Sequence, residues 1–415
     1  MSAERAEDII DAAPAWRRLG LALAVSTIGG IGFWSVVVAL PAIEAEFGID
    51  RGSASLPYFA TMVGFSCGGV LMGRLVDRFG VMPPILLAGV MLFLGYVAAA
   101  SAQSLWQFIA AQTVLIGFLG SSATFGPMVA DVSLWFRRRR GIAVAIVASG
   151  SYLSGTIWPP VVQYGIDTIG WRQTHVVIAI VCVTAMIPLA ILLRRRPPID
   201  PNDGVQGAPA ATSGDFPPVV AAPPRPAGVQ PMLMIAGIGC CVAMATPQVH
   251  IVAYCGDLGF GAQRGAEMLS LMLGLGVVSR LAFGVIADKV GGLGTLICSS
   301  LLQMLALFFY LPFDGLMSLY IVSGLFGLAQ GGIVPSYALV VRDYFPASQA
   351  ATRISLVLMS TVMGMAIGGW MAGEIYDYTG SYRTAFINGI AWNVLNLTIA
   401  FWLLMGRRRT PAIAV

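Results

Sequence analysis

Charge is scarce in this sequence. Asp, Glu, Lys and Arg together make up 11% of 415 residues, and the chain holds a single lysine, Lys289. There are no paired acids with catalytic spacing, no nucleotide-binding glycine loop and no cluster of metal ligands, so neither an enzyme nor a resident cofactor or metal is expected. The six cysteines, Cys67, Cys182, Cys240, Cys241, Cys255 and Cys298, fall within or at the ends of apolar stretches without metal spacing and read as small packing residues. What is abundant is apolar: 57% of the residues are hydrophobic and the mean hydropathy is +0.80, values that exclude a soluble globular domain of this length.

A helix needs about 20 mostly apolar residues to cross a hydrocarbon core of roughly 30 Å. Twelve stretches qualify, at 18–42, 54–76, 81–102, 106–130, 141–165, 173–193, 231–255, 266–287, 293–313, 316–341, 354–376 and 384–405. They read as helices because the alternating pattern of barrel strands is absent. The first follows Arg17 and Arg18, yet its apolar run is too long for a signal-peptide core and lacks a small-residue cleavage site, so a retained helix is expected.

With the N-terminus inside, 19 of the 24 basic residues fall on the cytoplasmic side. Four, Arg51, Arg172, Arg264 and Arg383, fall on the other, and Arg280 lies within a span. This asymmetry predicts that both termini are cytoplasmic. The net charge of +4 then reports topology beside anionic lipid, with no nucleic-acid partner. The excess of arginine over lysine suggests a GC-rich bacterial genome, and hence a bacterial inner membrane.

Residues 194–230 are crowded with proline among Gly, Ala and Asp, which predicts a disordered cytoplasmic linker. It separates an N-terminal six-helix bundle at 18–193 from a C-terminal one at 231–405, with tails at 1–17 and 406–415. The halves repeat each other. Gly73-Arg-Leu-Val-Asp77-Arg78-Phe-Gly80 recurs as Gly284-Val-Ile-Ala-Asp288-Lys289-Val-Gly291, offset by 211 residues, and Gly170-Trp171-Arg172 recurs as Ser381-Tyr382-Arg383 at the same offset. Two parallel six-helix repeats imply an all-α membrane transporter with a pseudo-twofold axis along the membrane normal.

The duplicated Gly-x-x-x-Asp-Arg-x-Gly pattern resembles the signature loop of the major facilitator superfamily. In that family the loop is a conformational latch. By resemblance, Asp77 meets the N-terminal end of the eleventh helix near Ala351 to Ile354, and Arg78 pairs with Asp131 at the end of the fourth helix. Gly73 would let a neighbouring helix approach, and Gly284, Asp288 and Lys289 would repeat the arrangement in the second half. The plainer alternative is topogenic charge alone. A finer resemblance lies in Gly117 to Gly120, Leu134-Trp135-Phe136 through Gly141, Ala148 to Gly155, and Ala372-Gly373 through Phe386. These runs resemble the monocarboxylate transporters and the oxalate/formate antiporters. Three features of those families are missing: Gly276 stands where an acid precedes the eighth-helix arginine, no basic residue interrupts the first span, and 356–370 carries no second cation.

Arg280 is the expected centre of a mid-membrane site. It precedes Asp288 by eight residues, and a charge at that depth costs on the order of 3 kcal/mol, so it faces a cavity or a partner. No acid shares its expected depth, and its planar fork of donors suits a substrate carboxylate. The competing reading is a structural arginine bonded to helix carbonyls and hydroxyls. Phe33, Trp34, Ser121, Ser122, Tyr152, Gln330 and Ser360 lie at similar expected depth as candidate pocket walls, and His250 is a candidate for proton coupling, although packing explains each singly. The function expected is secondary transport of a small organic anion, most simply a monocarboxylate and with a proton as a second partner, by a chain working as a monomer. The alternative is a proton-driven exporter of drugs or amphiphiles. A non-transporting sensor would need an appended domain or an ordered tail.

Overall fold

The computed structural model describes residues 10–136, 139–195, 228–345 and 347–408. Most of the expected linker, and the ends of both tails, lie outside the described residues. Every regular element among the described residues is helical, and twelve helices are long and apolar enough to cross a membrane. In the first half these are α1 (Ala13–Phe47), α2 (Arg51–Val76), α3 (Met82–Ser101), α4 (Leu105–Val132), α5 (Ile142–Ile169) and α6 (Trp171–Leu192). The second half holds α7 (Val229–Asp257), α8 (Ala262–Ala287), α9 (Lys289–Phe309), α10 (Leu316–Tyr344), α11 (Arg353–Thr379) and α12 (Tyr382–Met405). All twelve expected spans are present, with ends within five residues of those read from hydropathy. The two sets of six form two bundles.

Helix is the only state open to these segments, because lipid offers no partner to a bare amide. Pro41, Pro57, Pro188 and Pro247 sit inside helices, each freeing one carbonyl a turn earlier, which helices packed in a membrane tolerate. Large apolar side chains such as Val278, Leu281 and Trp402 are exposed on the outer surface, where lipid would meet them. Polar groups turn inward and pair. In the second bundle Asn393 donates to the Ser300 carbonyl at 2.8 Å, Asn396 donates to Ser300 Oγ at 2.8 Å, and Tyr337 donates to Asn396 Oδ1 at 2.8 Å, tying α9, α10 and α12 together.

The repeat is visible in backbone geometry. Gly80 and Gly291, the last glycines of the duplicated motif, have φ of 82° and 77° and end α2 and α8 in a conformation closed to L side chains. The motif's final glycine is thus required by the turn itself. A second equivalence is a break within α4 and α10. In α4 a π-helical stretch, Ala111–Gly120, passes into a short 3-10 turn, and α10 is interrupted at Gly331 and Gly332. Gly120 and Gly331 are again 211 residues apart. Interrupted helices at matching places in two repeats mark the substrate region of many transporters.

The bundles meet from the far face down to the level of Arg280. At the far face, opposite the termini, Gly373 of α11 packs on the Arg51 carbonyl of α2, Tyr58 lies against Gly369, and Phe59 meets Trp370 edge-on with ring centroids 6.4 Å apart. On the other flank, Ser270 of α8 donates to the Thr156 carbonyl of α5, and Leu273 lies against Gly155. Toward the linker face the helices part: a Cβ added at Gly73 or Gly284 would meet nothing within 4 Å. No close approach to Gly73 is present among the described residues.

Candidate functional site

Arg280 lies two-thirds of the way along α8, closer to the linker face than the middle, and is half-buried. Its guanidinium carbon sits 4.2 Å from the centroid of the Tyr152 ring of α5, and Nη1 donates to the Ala148 carbonyl at 3.2 Å. These contacts cross between the bundles, so Arg280 stands where the joined part of the seam gives way to the open part. Nε is buried with no hydrogen-bond partner, and no carboxylate among the described residues pairs with Arg280.

Gly276, one turn before Arg280, has Tyr152 on one side and Gln330 of α10 on the other: a Cβ there would come within 2.6 Å of the Tyr152 ring and 3.5 Å of Gln330 Nε2. The missing acid noted in the sequence thus has a steric counterpart, since any side chain at 276 would displace Tyr152. Gln330 Oε1 accepts from Gln248 of α7, and Gln330 Nε2 is buried without a partner. Trp34 of α1 reaches the same seam, donating from Nε1 to the Ser151 carbonyl at 3.2 Å and packing on Gly155. Trp34, Tyr152, Arg280 and Gln330 are therefore brought together along α1, α5, α8 and α10. Gln248 joins them and was not singled out from the sequence; a polar residue deep in a 29-residue apolar helix was the available signal.

The other expected wall residues go elsewhere. Ser121 is fully buried and donates to the Gly29 carbonyl at 2.8 Å, which fastens α4 to α1. Ser122 donates to the Phe118 carbonyl at 2.6 Å, and Ser360 to the Val357 carbonyl at 2.6 Å, each within its own helix. Phe33 stacks edge-on against Phe65 with centroids 4.6 Å apart. These bonds satisfy the three hydroxyls through helix carbonyls, as is usual for serine in apolar helices.

Asp131 corrects an expectation. Its carboxylate is gripped in a bidentate pair by Arg18 of α1, with Nε to Oδ2 at 2.6 Å and Nη2 to Oδ1 at 2.7 Å, and not by Arg78. Arg18 also donates to the carbonyls of Leu193 and Arg195 and lies over the Trp135 ring at 4.5 Å. The Arg78 guanidinium rests on Phe79 at 5.2 Å. The start of α1 lies beside the end of α4, so the Arg18 fork meets both carboxylate oxygens, while Arg78 is turned onto Phe79. The side chains of Asp77 and Asp288 lie outside the described residues, and Lys289 is exposed.

At the far face, Arg51 is the counterpart of Arg280. It is buried, with Glu44 2.5 Å from Nε, Asp257 3.1 Å from Nη1, and the Tyr382 hydroxyl accepting from Nη1 at 2.7 Å. His250 joins through Tyr382, whose hydroxyl is 3.1 Å from Nδ1, while Nε2 lies 2.7 Å from the Gly369 carbonyl. The carbonyl fixes the proton on Nε2, leaving Nδ1 to accept from tyrosine, so both nitrogens are engaged.

Two interrupted helices, a duplicated loop and an arginine at the seam of two six-helix bundles are features of a membrane transporter. The sequence model of the Major Facilitator Superfamily matches residues 22–322 and 293–414, and the chain belongs to that family. It is a multi-pass membrane transporter of a small molecule, not an enzyme. Among characterised relatives it is 25% identical to monocarboxylate transporter 13 of Bos taurus over 77% of this chain and 73% of that protein. It is likewise 25% identical to monocarboxylate transporter 12-B of Danio rerio (81% and 75%) and 24% identical to the MFS-type transporter pynF of Aspergillus niger (74% and 68%). In fold it is similar to a POT family transporter solved with a thioalcohol-conjugated peptide, at a TM-score of 0.72 and 12% identity over 95% of this chain and 96% of that one. A bacterial homologue of the lysosomal transporter Spinster, in an inward-facing and occupied conformation, superposes with a TM-score of 0.69 at 13% identity, covering 95% and 98%.

Proposed function

We propose that this chain is a secondary transporter of a small organic monocarboxylate, working by alternating access, with Arg280 as the residue that receives the carboxylate. The observation that carries this reading is the state of Arg280: a cation at the bundle seam, seated on Tyr152, with a buried donor that nothing fills. An anion with two coplanar oxygens completes such a fork, and an aromatic wall beside it accommodates an apolar tail. The relatives named as monocarboxylate transporters support the substrate class. The distribution of basic residues supports a cytoplasmic linker face, so that this conformation opens inward, with both termini in the cytoplasm of a bacterium. The domain limits at 18–193 and 231–405, a monomeric working unit and a proton as co-substrate belong to the same proposal.

In the opposite conformation the linker face closes, and Gly73, Asp77 and Arg78, with Gly284, Asp288 and Lys289, are the contacts that hold it. Asp131 contributes there by anchoring Arg18. Proton movement through His250 requires the Tyr382 or Gly369 bond to break, which makes His250 a structural link in this state.

The test is binding of radiolabelled monocarboxylates to purified protein in nanodiscs. Arg280→Lys keeps the charge but loses the fork and should weaken binding about tenfold, whereas Arg280→Gln should remove saturable binding, a loss of about 100-fold or more. Dicarboxylates should compete less well than monocarboxylates, because the second charge finds no partner. A folded Arg280→Gln protein that binds like wild type would end this reading and put export of amphiphiles in first place.

A further inference from the structure

Closing the far face places two carboxylates on one guanidinium. Arg51 and Glu44 flank the turn between α1 and α2 and belong to the first bundle. Asp257 arrives at the end of α7 and Tyr382 at the start of α12, both from the second. A third acid, Asp377 of α11, is committed elsewhere: its oxygens accept from the backbone amides of Arg51 and Gly52 at 2.9 and 2.5 Å, capping the N-terminus of α2 from across the seam. That helix end offers partial positive charge and open N–H donors, which offset Asp377. Among the described residues Arg51 is the one cation paired with Glu44 and Asp257, and the Tyr376 hydroxyl also hydrogen-bonds Asp257.

The remaining titratable neighbours do not restore the balance. Glu374 and Tyr376 of α11 add one more acid and a ring over Arg51 at 4.7 Å, with Glu374 accepting from Trp370. His250 and Tyr254 of α7 are buried; the first is engaged by Tyr382 and Gly369. Asp314 and the exposed Arg383 act on Tyr254, and among the described residues Arg383 forms no ion pair with Glu44 or Asp257. One guanidinium cancels one carboxylate, so the closed cluster carries an excess negative charge. The carboxylates of Glu44 and Asp257 are 25% and 32% exposed, too sheltered for solvent to screen their repulsion fully. When the far face opens, Asp257 leaves with the second bundle and Arg51 keeps Glu44 alone.

We propose that closure of the far face binds one proton in the acid cluster assembled on Arg51, so that this face closes as pH falls. The sign follows from linkage: the closed state holds more protons than the open one, so acid favours it, and a single proton limits the change in the closed-to-open ratio to about tenfold per pH unit. The device needs no substrate and stands apart from the Arg280 reading.

The test is a distance measurement by electron paramagnetic resonance. Spin labels are placed at Thr168 of α5 and Phe313 of the α9–α10 turn, both exposed at the far face, in protein carrying Cys67→Ser and Cys298→Ser and held in nanodiscs. On going from about pH 8 to about pH 5, the short-distance population of wild type should rise several-fold. Glu44→Gln and Asp257→Asn each leave one acid for one guanidinium, so each should show the acid population at every pH and lose the slope. Asp377→Asn removes the cap on α2 and should lower the closed population at every pH while keeping the slope. A wild-type distribution indifferent to pH overturns the proposal. So does a slope retained in both Glu44→Gln and Asp257→Asn, or a far face that opens when either acid is neutralised, since the ion pair alone would then govern closure.

Discussion

Arg51 and Arg280 both sit on the seam between the two bundles, and both lie on a tyrosine ring. Around Arg51 stand two carboxylates and a hydroxyl; around Arg280 there is one carbonyl, one ring and no carboxylate among the described residues. The difference follows from position. Arg51 is at the end of the molecule where the bundles touch, and acids from both can reach it. Arg280 lies where they begin to part, so a second partner has to come from outside the chain. Arg18 is a third case, paired entirely within one bundle with Asp131. A paired arginine inside a bundle holds the fold, one paired across the seam holds a conformation, and one left short of partners is available to a ligand.

The within-bundle pair should give the largest loss of stability. The Arg18 and Asp131 side chains are 5% and 2% exposed, so Arg18→Gln leaves a buried carboxylate without its cation, at a cost of about 3–5 kcal/mol. Thermal unfolding in detergent at neutral pH should show a clear drop in Tm, and the double change Arg18→Met with Asp131→Leu should recover most of it. A single variant with wild-type Tm would break the comparison at its firmest point, because the pair would then be ornamental.

Arg280→Gln should behave in the opposite way. Removing a cation that lacks a counter-charge relieves a desolvation cost, so ligand-free stability should stay within about 1 kcal/mol of wild type or rise, while the Tm increase produced by a bound monocarboxylate disappears. A ligand-free loss as deep as that of Arg18→Gln would mean that helix carbonyls hold Arg280 for structural reasons.

The twelve helices and the two halves were legible because hydrocarbon thickness fixes the length of an apolar run and because the 211-residue offset repeats a whole motif. Arg280 stood out for the same reason, as the one basic residue inside an apolar span. Pairings were not legible. Arg18 read as one of many basic residues beside the membrane, and nothing in its spacing announced that α1 begins next to the end of α4. Glu44, Asp257 and Asp377 lie near the ends of three separate helices, and only the order of helices around the seam brings them to Arg51. The interruption at Gly120 and Gly331 was written in the sequence at the repeat's own offset, yet glycines in membrane helices serve packing so often that chain geometry was needed to show it. The candidate serines failed for a related reason: depth along a helix says nothing of which way a hydroxyl turns, and a carbonyl one turn back is always within reach.

The smallest effect concerns Asp50, which adjoins Arg51 but acts within its own bundle. Its exposed carboxylate accepts from Ser53 N at 2.7 Å and caps α2, the helix whose first two amides are taken by Asp377 from the other bundle. Hydrogen bonds from the Ser53 side chain and backbone hold the Asp50 carboxyl below its ordinary 3.8. A carboxyl lowered on folding adds stability that is fully present above its unfolded pKa and is lost as pH falls through the folded one. Asp50→Ala should therefore cost about 0.5–1 kcal/mol at neutral pH, and the difference from wild type should vanish on acidification below the carboxylate range. Because Asp50 never crosses the seam, the far-face distance distribution should be that of wild type at every pH. A shift in that distribution would show that the cap on α2 is a single unit, and that Asp377 closes the far face only with the help of the acid beside it.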